Sequence, residues 1–234
     1  MKNCRGLLAV AALSMISLST LEAQTLARWT FETSPPADLA NSTTISGILA
    51  DVGTGTASGV HASAGADWTT PTGNGSANSL SANEWAVGDY FQFSLSTLGY
   101  QGITVGWAQV SSATGPGEFK FAYQINGGGF TDYLNYTVLP NQAGAPGLGA
   151  WGGVTEILGY NFSVDLSAVT ALDNVASVDF RLIMTTTADA VPPGAVAAAG
   201  TDRVDNFTVS VVPEPATATL LGLGLAACLI RRRN

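Results

Sequence analysis

Four runs of alternating residues constrain this chain more than anything else in it. Phe91, Phe93 and Leu95 alternate with Gln92 and Ser94, and Phe119, Phe121, Tyr123 and Ile125 enclose Lys120 and Gln124. Val178, Phe180, Leu182 and Met184 enclose Asp179 and Arg181, and Phe207, Val209 and Val211 enclose Thr208 and Ser210. Successive side chains of a strand point to opposite faces, so each run offers one apolar face that only a second layer can cover. Further strand-like segments lie at 26–32, 103–110, 136–139 and 161–166, and no long helical period interrupts them. The pattern predicts an all-β domain over 24–212, an antiparallel β-sandwich of jelly-roll type.

The connections carry their own signals. Asn126-Gly127 supplies the positive φ of a tight reversal, which makes the runs on either side hairpin partners. Segment 165–174 reads as one helical turn capped by Asp165. Segments 50–82 and 141–153, poor in apolar alternation, read as surface loops, and 185–201 with Pro192-Pro193 as a mobile one.

Both ends stand apart from this body. Lys2 and Arg5 precede an apolar run over 6–18 and small residues follow, the order of a secretory signal helix removed by signal peptidase. Cleavage is expected after Ala23, so that 1–23 is lost; a cut after Ala27 is the alternative. Cys4 and Cys228 both fall in the terminal segments, so the central domain has neither a disulfide nor a cysteine nucleophile. Between Arg28 and Val212 four basic residues face fifteen acidic ones, a surface that repels phosphate backbones and excludes nucleic acid as a partner.

At the other end, Pro213-Glu214-Pro215 is followed by an apolar stretch over 216–230 and by Arg231, Arg232 and Arg233. The prolines cannot continue a strand, so they hold the segment extended. As a helix, fifteen residues reach about 22 Å, short of a hydrocarbon core of about 30 Å. The three arginines favour the cytoplasmic side, as anchor charges that leave the sandwich outside. Pro-Glu-Pro, a short glycine-bearing transmembrane helix and a closing arginine cluster together resemble the PEP-CTERM sorting signal of Gram-negative bacteria, here over 213–234. The resemblance implies processing by an exosortase at Pro213, Glu214 and Pro215. It implies export across the inner membrane, transient anchoring there, and then a place at the cell surface or outside the cell. More loosely, Trp29-Thr-Phe-Glu32, Asn83-Glu-Trp85, Gly88-Asp-Tyr-Phe91 and Thr201-Asp-Arg-Val-Asp-Asn-Phe207 resemble carbohydrate-binding jelly rolls of secreted proteins.

Candidate sites in the domain are few. Asp205 shares strand parity with Phe207, which aims its carboxylate at the core, where it needs a partner. That partner is either Ca²⁺, held together with Glu32 or Asp202, or backbone N–H groups or Arg203. Trp68 and Trp151 stand in loop-like contexts as sugar-stacking candidates, whereas Trp107 reads as core. His61, the only histidine, sits in a Gly/Ser/Ala-rich loop and reads as exposed. Glu84, Glu118 and Glu156 are carboxylates that could converge for glycoside hydrolysis. With no nucleophile motif, phosphate loop or cofactor fingerprint, the first expectation is a non-catalytic surface or matrix component, not an enzyme. The alternatives are a module that binds extracellular polysaccharide and a secreted hydrolase.

Overall fold

The computed structural model describes residues 23–141 and 148–213. The expected signal helix, transmembrane helix and arginine cluster lie outside the described residues. In chain order the strands are β1 (Gln24–Trp29), β2 (Thr44–Leu49), β3 (Val52–Gly53), β4 (Thr56–Val60), β5 (Trp68–Thr69), β6 (Leu80–Ala82) and β7 (Tyr90–Leu95). They continue with β8 (Tyr100–Ser111), β9 (Glu118–Ile125), β10 (Thr131–Thr137), β11 (Asn161–Asp165), β12 (Val178–Met184) and β13 (Asp202–Pro213). One sheet runs β11-β8-β13-β1-β3, with β6 and β5 added beside the first residues of β13; the other runs β10-β9-β12-β7-β4-β2. All pairings between named strands are antiparallel, and the inner faces close into one apolar core. The antiparallel β-sandwich is thus the fold of the chain.

Aromatic contacts clamp the layers. Phe93 of β7 and Phe207 of β13 stack with ring centroids 3.6 Å apart, and Trp29 of β1 sets its edge against both. Trp107 of β8 stacks on Phe121 of β9 and on Phe162 of β11. The four alternating runs fall on β7, β9, β12 and β13 with their apolar members buried or half-buried. Asn126 (φ 49°) and Gly127 (φ 73°) turn β9 into β10, the expected hairpin.

Several expectations are corrected. Segment 50–82 contains four strands, and a fifth, β2, precedes them. In β4 the inner positions are occupied by Ala57 and Gly59, which an apolar count passes over. A Cβ on Gly59 would lie 2.2 Å from the Trp68 indole, so this position must be glycine for that ring to be buried. The strand expected at 136–139 is instead β10 at Thr131–Thr137, an edge strand with six exposed residues and little alternation. Segment 165–174 contains a 3₁₀ turn at Thr170–Leu172, while Asp165 accepts the Ser167 N–H and caps its own turn.

Loops are tied down by carboxylates. Asp51 accepts the backbone N–H groups of Thr30, Phe31 and Thr33 and the Thr33 hydroxyl, holding Phe31 at φ 60° with its ring inside the core. Burial works against the ionised form of Asp51, but the hydrogen bonds from Thr33 and Thr30 outweigh it and hold the carboxyl below its usual range.

Removing the ring that bridges Phe93, Trp29 and Trp107 leaves a cavity at the centre of the sandwich. Phe207→Ala is expected to cost about 3–5 kcal/mol, read as a lowered midpoint in urea unfolding with an unchanged slope.

Candidate functional site

The site is set by an irregularity in β13. On its first residues β13 pairs with β6 (Asp202↔Ala82, Val204↔Leu80), and from Phe207 onward the same edge pairs with β1. At the changeover the register with β8 slips between Asp205 and Thr208, and Asn206 takes φ 53°. This is a β-bulge, and the extra residue reverses which side faces inward. Val204 and Phe207 both enter the core, although their spacing of three would put them on opposite faces of a regular strand.

Asp205 therefore points out of the sandwich and not into it, because the bulge breaks the parity on which the expectation rested. It meets a covering loop. Its Oδ2 accepts the Asn74 N–H at 2.8 Å, the Ser76 hydroxyl at 2.6 Å and the Asn206 side-chain amide at 3.3 Å, and Oδ1 accepts the Asn206 N–H at 2.7 Å. Burial pushes this carboxyl up to about 6 against the pull of those donors. From Asn74 the network continues outward. Its side chain donates to the Asn161 carboxamide and accepts the Ile157 N–H, and Asn161 donates to the Glu156 carboxylate at 2.6 Å.

The result is a pocket of about 270 Å³ on the outer face of the β1-containing sheet. Gly106 and Ala108 of β8 form its floor, and Arg28, Glu156, Asn161, Asn206 and Thr208 supply polar groups around it. Among the described residues no carboxylate comes within ion-pair distance of Arg28. Chemically the pocket offers hydrogen-bond donors and acceptors over a flat peptide floor. Its polar groups can hydrogen-bond a ligand, and Trp107 and Phe162 also line it.

On the inner face the same strand carries a second carboxylate. Asp202 is fully buried, and its Oδ1 accepts the Gln109 side-chain amide. Gln109 in turn accepts the Trp107 indole N–H and the Tyr136 hydroxyl. Ser111 Oγ lies 2.8 Å from Asp202 Oδ2 and 2.6 Å from the Pro116 carbonyl. A hydroxyl has one proton to give. If Ser111 donates to the carbonyl, the Asp202 contact requires the carboxyl itself to carry a proton and donate it. Burial raises Asp202 well above the usual carboxylate range, in the same direction.

The remaining candidates are placed as follows. Glu32 binds the Asn78 N–H. It lies near enough to Asp205 to raise that carboxyl, while Asp202 faces the opposite side of the strand, so the three expected calcium ligands do not converge. Among the described residues no group of three or more His, Cys, Asp or Glu is placed to hold a metal. Trp68 is wholly inside the core and Trp151 is buried against Tyr160, Ala108 and Val110 in a small second cluster, so neither ring is open to a sugar. Trp107 is core, as expected.

His61 is 2% exposed and not at the surface, lying 4.6 Å from the Trp68 ring and 4.3 Å from the Trp85 ring. Burial lowers its pKa to about 4. Glu84 receives the Ser63 hydroxyl, Glu118 lies on β9 in the other sheet beside Thr137, and Glu156 lines the pocket. They are three separate sites. The pocket itself was not legible in the sequence, since Asn74, Asn161 and Asn206 form no spaced motif and meet only through the bulge.

Comparison with known proteins adds the following. The family model for the PEP-CTERM protein-sorting motif matches residues 211–234, so the chain carries that motif. A comparison with curated proteins finds no match. Among solved structures, the chain is similar to the K3 cleaved adhesin domain of Lys-gingipain from Porphyromonas gingivalis w83, at 13% identity over 80% of this chain and 99% of that one, TM-score 0.41. It is similar to the CBM22-1–GH10 modules of a Clostridium thermocellum endo-1,4-β-D-xylanase, at 11% identity over 82% and 29%, TM-score 0.43. It is also similar to the carbohydrate-binding module TmCBM27, at 12% identity over 81% and 95%, TM-score 0.39.

The upward shift of Asp202 has a testable sign. A carboxyl whose folded pKa is raised binds its proton more tightly when folded, so its share of stability is full below about pH 3.8 and declines as the pH climbs toward the folded value. Asp202→Asn can reproduce every hydrogen bond of the neutral acid. It is expected to raise the melting temperature at pH 7 and to leave it nearly unchanged at pH 4; a loss at pH 7 would place a charge there.

Proposed function

Given a PEP-CTERM motif at 211–234, we propose that the chain is an exported surface or extracellular-matrix component, held at the inner membrane by its C-terminal segment until an exosortase cuts at Pro213-Glu214-Pro215. The sandwich is the cargo and does no chemistry of its own. The observation that carries this reading is the matched motif, which begins inside β13 and so joins the address directly to the folded body. Removal of the N-terminal segment by signal peptidase belongs to the same route. A cut after Ala23 is supported by β1, which starts at Gln24 and pairs Gln24, Thr25 and Ala27 with Val211, Ser210 and Val209; a cut after Ala27 would strip those residues from the sheet.

A second reading, binding of extracellular polysaccharide, is favoured by the polar pocket over Gly106. A glycan hydroxyl needs directional donors and acceptors, which Arg28, Asn161, Asn206, Thr208 and Glu156 provide.

Replacing Pro213, Glu214 and Pro215 together with alanine is expected to leave a longer protein in the membrane fraction, whereas the unaltered chain yields a released product beginning at Gln24. Intact-mass measurement of both decides it, and equal masses and locations would reject the sorting role. For the second reading, Gly106→Leu fills the pocket with little strain, because a Cβ there meets only the Phe162 carbonyl at 3.5 Å. Calorimetric titration with oligosaccharides released from the host's own extracellular polysaccharide is expected to show binding by the unaltered domain and none by the variant. Identical heats from the two proteins would clear the pocket of that role.

A further inference from the structure

The two processing points are neighbours in space. Gln24 pairs with Val211 across β1 and β13, and directly opposed residues of an antiparallel pair lie about 5 Å apart. The first residue of the expected mature chain and the start of the sorting motif thus leave the sandwich through the same end. There is also no spacer. Beyond a second register slip, Val212 still pairs with Gln101 and Pro213 with Tyr100, so the ladder reaches the first proline of the Pro-Glu-Pro element and does not stop before it as expected. A body joined this closely to a membrane segment cannot tumble freely, and one end of it must face the lipid.

That end is the one marked by Val211. It is built from the β7–β8 turn at 96–99, the β9–β10 hairpin at 126–130 and the 166–177 segment, all at the strand ends level with Val211. Its carboxylates are Asp165 and Asp173, with Asp132 and Asp179 one residue inside the starts of β10 and β12, and the Asp173 carboxylate is turned back onto the Gly102 N–H. The turn at 96–99 is Ser-Thr-Leu-Gly, without charge and with Leu98 56% exposed. At the other end lie Asp67, Glu84 and Glu118, half-buried, while Asp89 and Asp189 are buried there and turned onto the N–H groups of Ala62, Ala86 and Val191.

Resting on the sorting role proposed above, we infer that the anchored precursor is held in one orientation: the end bearing the 96–99 turn, from which the tether leaves, lies against the phospholipid headgroups, and the opposite end, with the loop that carries Val87, faces away. Both peptidases then work on the same lipid-facing end.

Two residues of equal exposure test this. Leu98 is 56% and Val87, in the loop before β7, 55% exposed. In a Cys228→Ser background, Leu98→Cys and Val87→Cys are each introduced into the alanine-substituted precursor and into the normally released protein. Labelling by a bulky, membrane-impermeant maleimide is then timed. The released forms are expected to label at similar rates, while in the anchored precursor Leu98→Cys labels several-fold more slowly than Val87→Cys. A flexible Gly/Ser spacer of about ten residues placed after Pro213 is expected to remove the difference. Equal rates in the anchored precursor overturn the orientation and leave the sorting role standing. An alanine variant that is not retained at the membrane removes the sorting role and the orientation together.

Discussion

The bulge at Asp205-Asn206 is the constraint on which the rest of this structure depends. A strand of fixed parity could not present Val204 and Phe207 to the same core, nor change partner from β6 to β1 along one edge. With one extra residue, β13 does both. It runs through the centre of its sheet, completes the aromatic stack against Phe93, and turns a carboxylate outward at the place where a covering loop needs an acceptor. The outer pocket follows from this, since Asn206, Asn74 and Asn161 meet only where the strand is displaced.

The same strand also shows two ways to bury an acid. Asp205 is surrounded by donors, including two backbone N–H groups and a carboxamide, a set that matches a negative charge, and the Ser76 hydroxyl beside it is shared with the Asn78 carbonyl. Asp202, three residues earlier and on the opposite face, has two side-chain neighbours, one of which has a competing acceptor, a set that matches a neutral acid. Neither arrangement requires a metal. An unmatched charge in the interior would cost several kcal/mol, so each solution is a condition of the fold and not an ornament on it.

How much of this was visible in advance depends on which physical signal carried it. The strands at β7, β9, β12 and β13 were legible because large apolar side chains recur every second residue. The Asn126-Gly127 reversal was legible because few residue pairs accept its backbone angles. What stayed hidden was written in small residues and in single departures from regularity. Gly59 and Ala57 occupy core-facing positions precluding any apolar signal, because the bulk that fills the space beside Gly59 comes from Trp68, nine residues away. For the same reason Trp68 passed for a surface ring and His61 for an exposed histidine. The one-residue slip at Asn206 inverted the reading of Asp205, and no periodicity computed over a regular strand contains such a slip. The sorting segment was legible for the opposite reason: its three parts depend on order along the chain and not on folding.

The adjacency of β1 and β13 gives the body a single doorway, through which the chain enters and leaves. A domain with that property can be lifted out of one polypeptide and set into a surface loop of another, since the host has only to open by the width of one strand pair. Joined end to end at the doorway and reopened at an exposed turn, it should keep its layers in place as a circular permutant. Its architecture is that of a cassette, portable between carriers whatever address each of them bears.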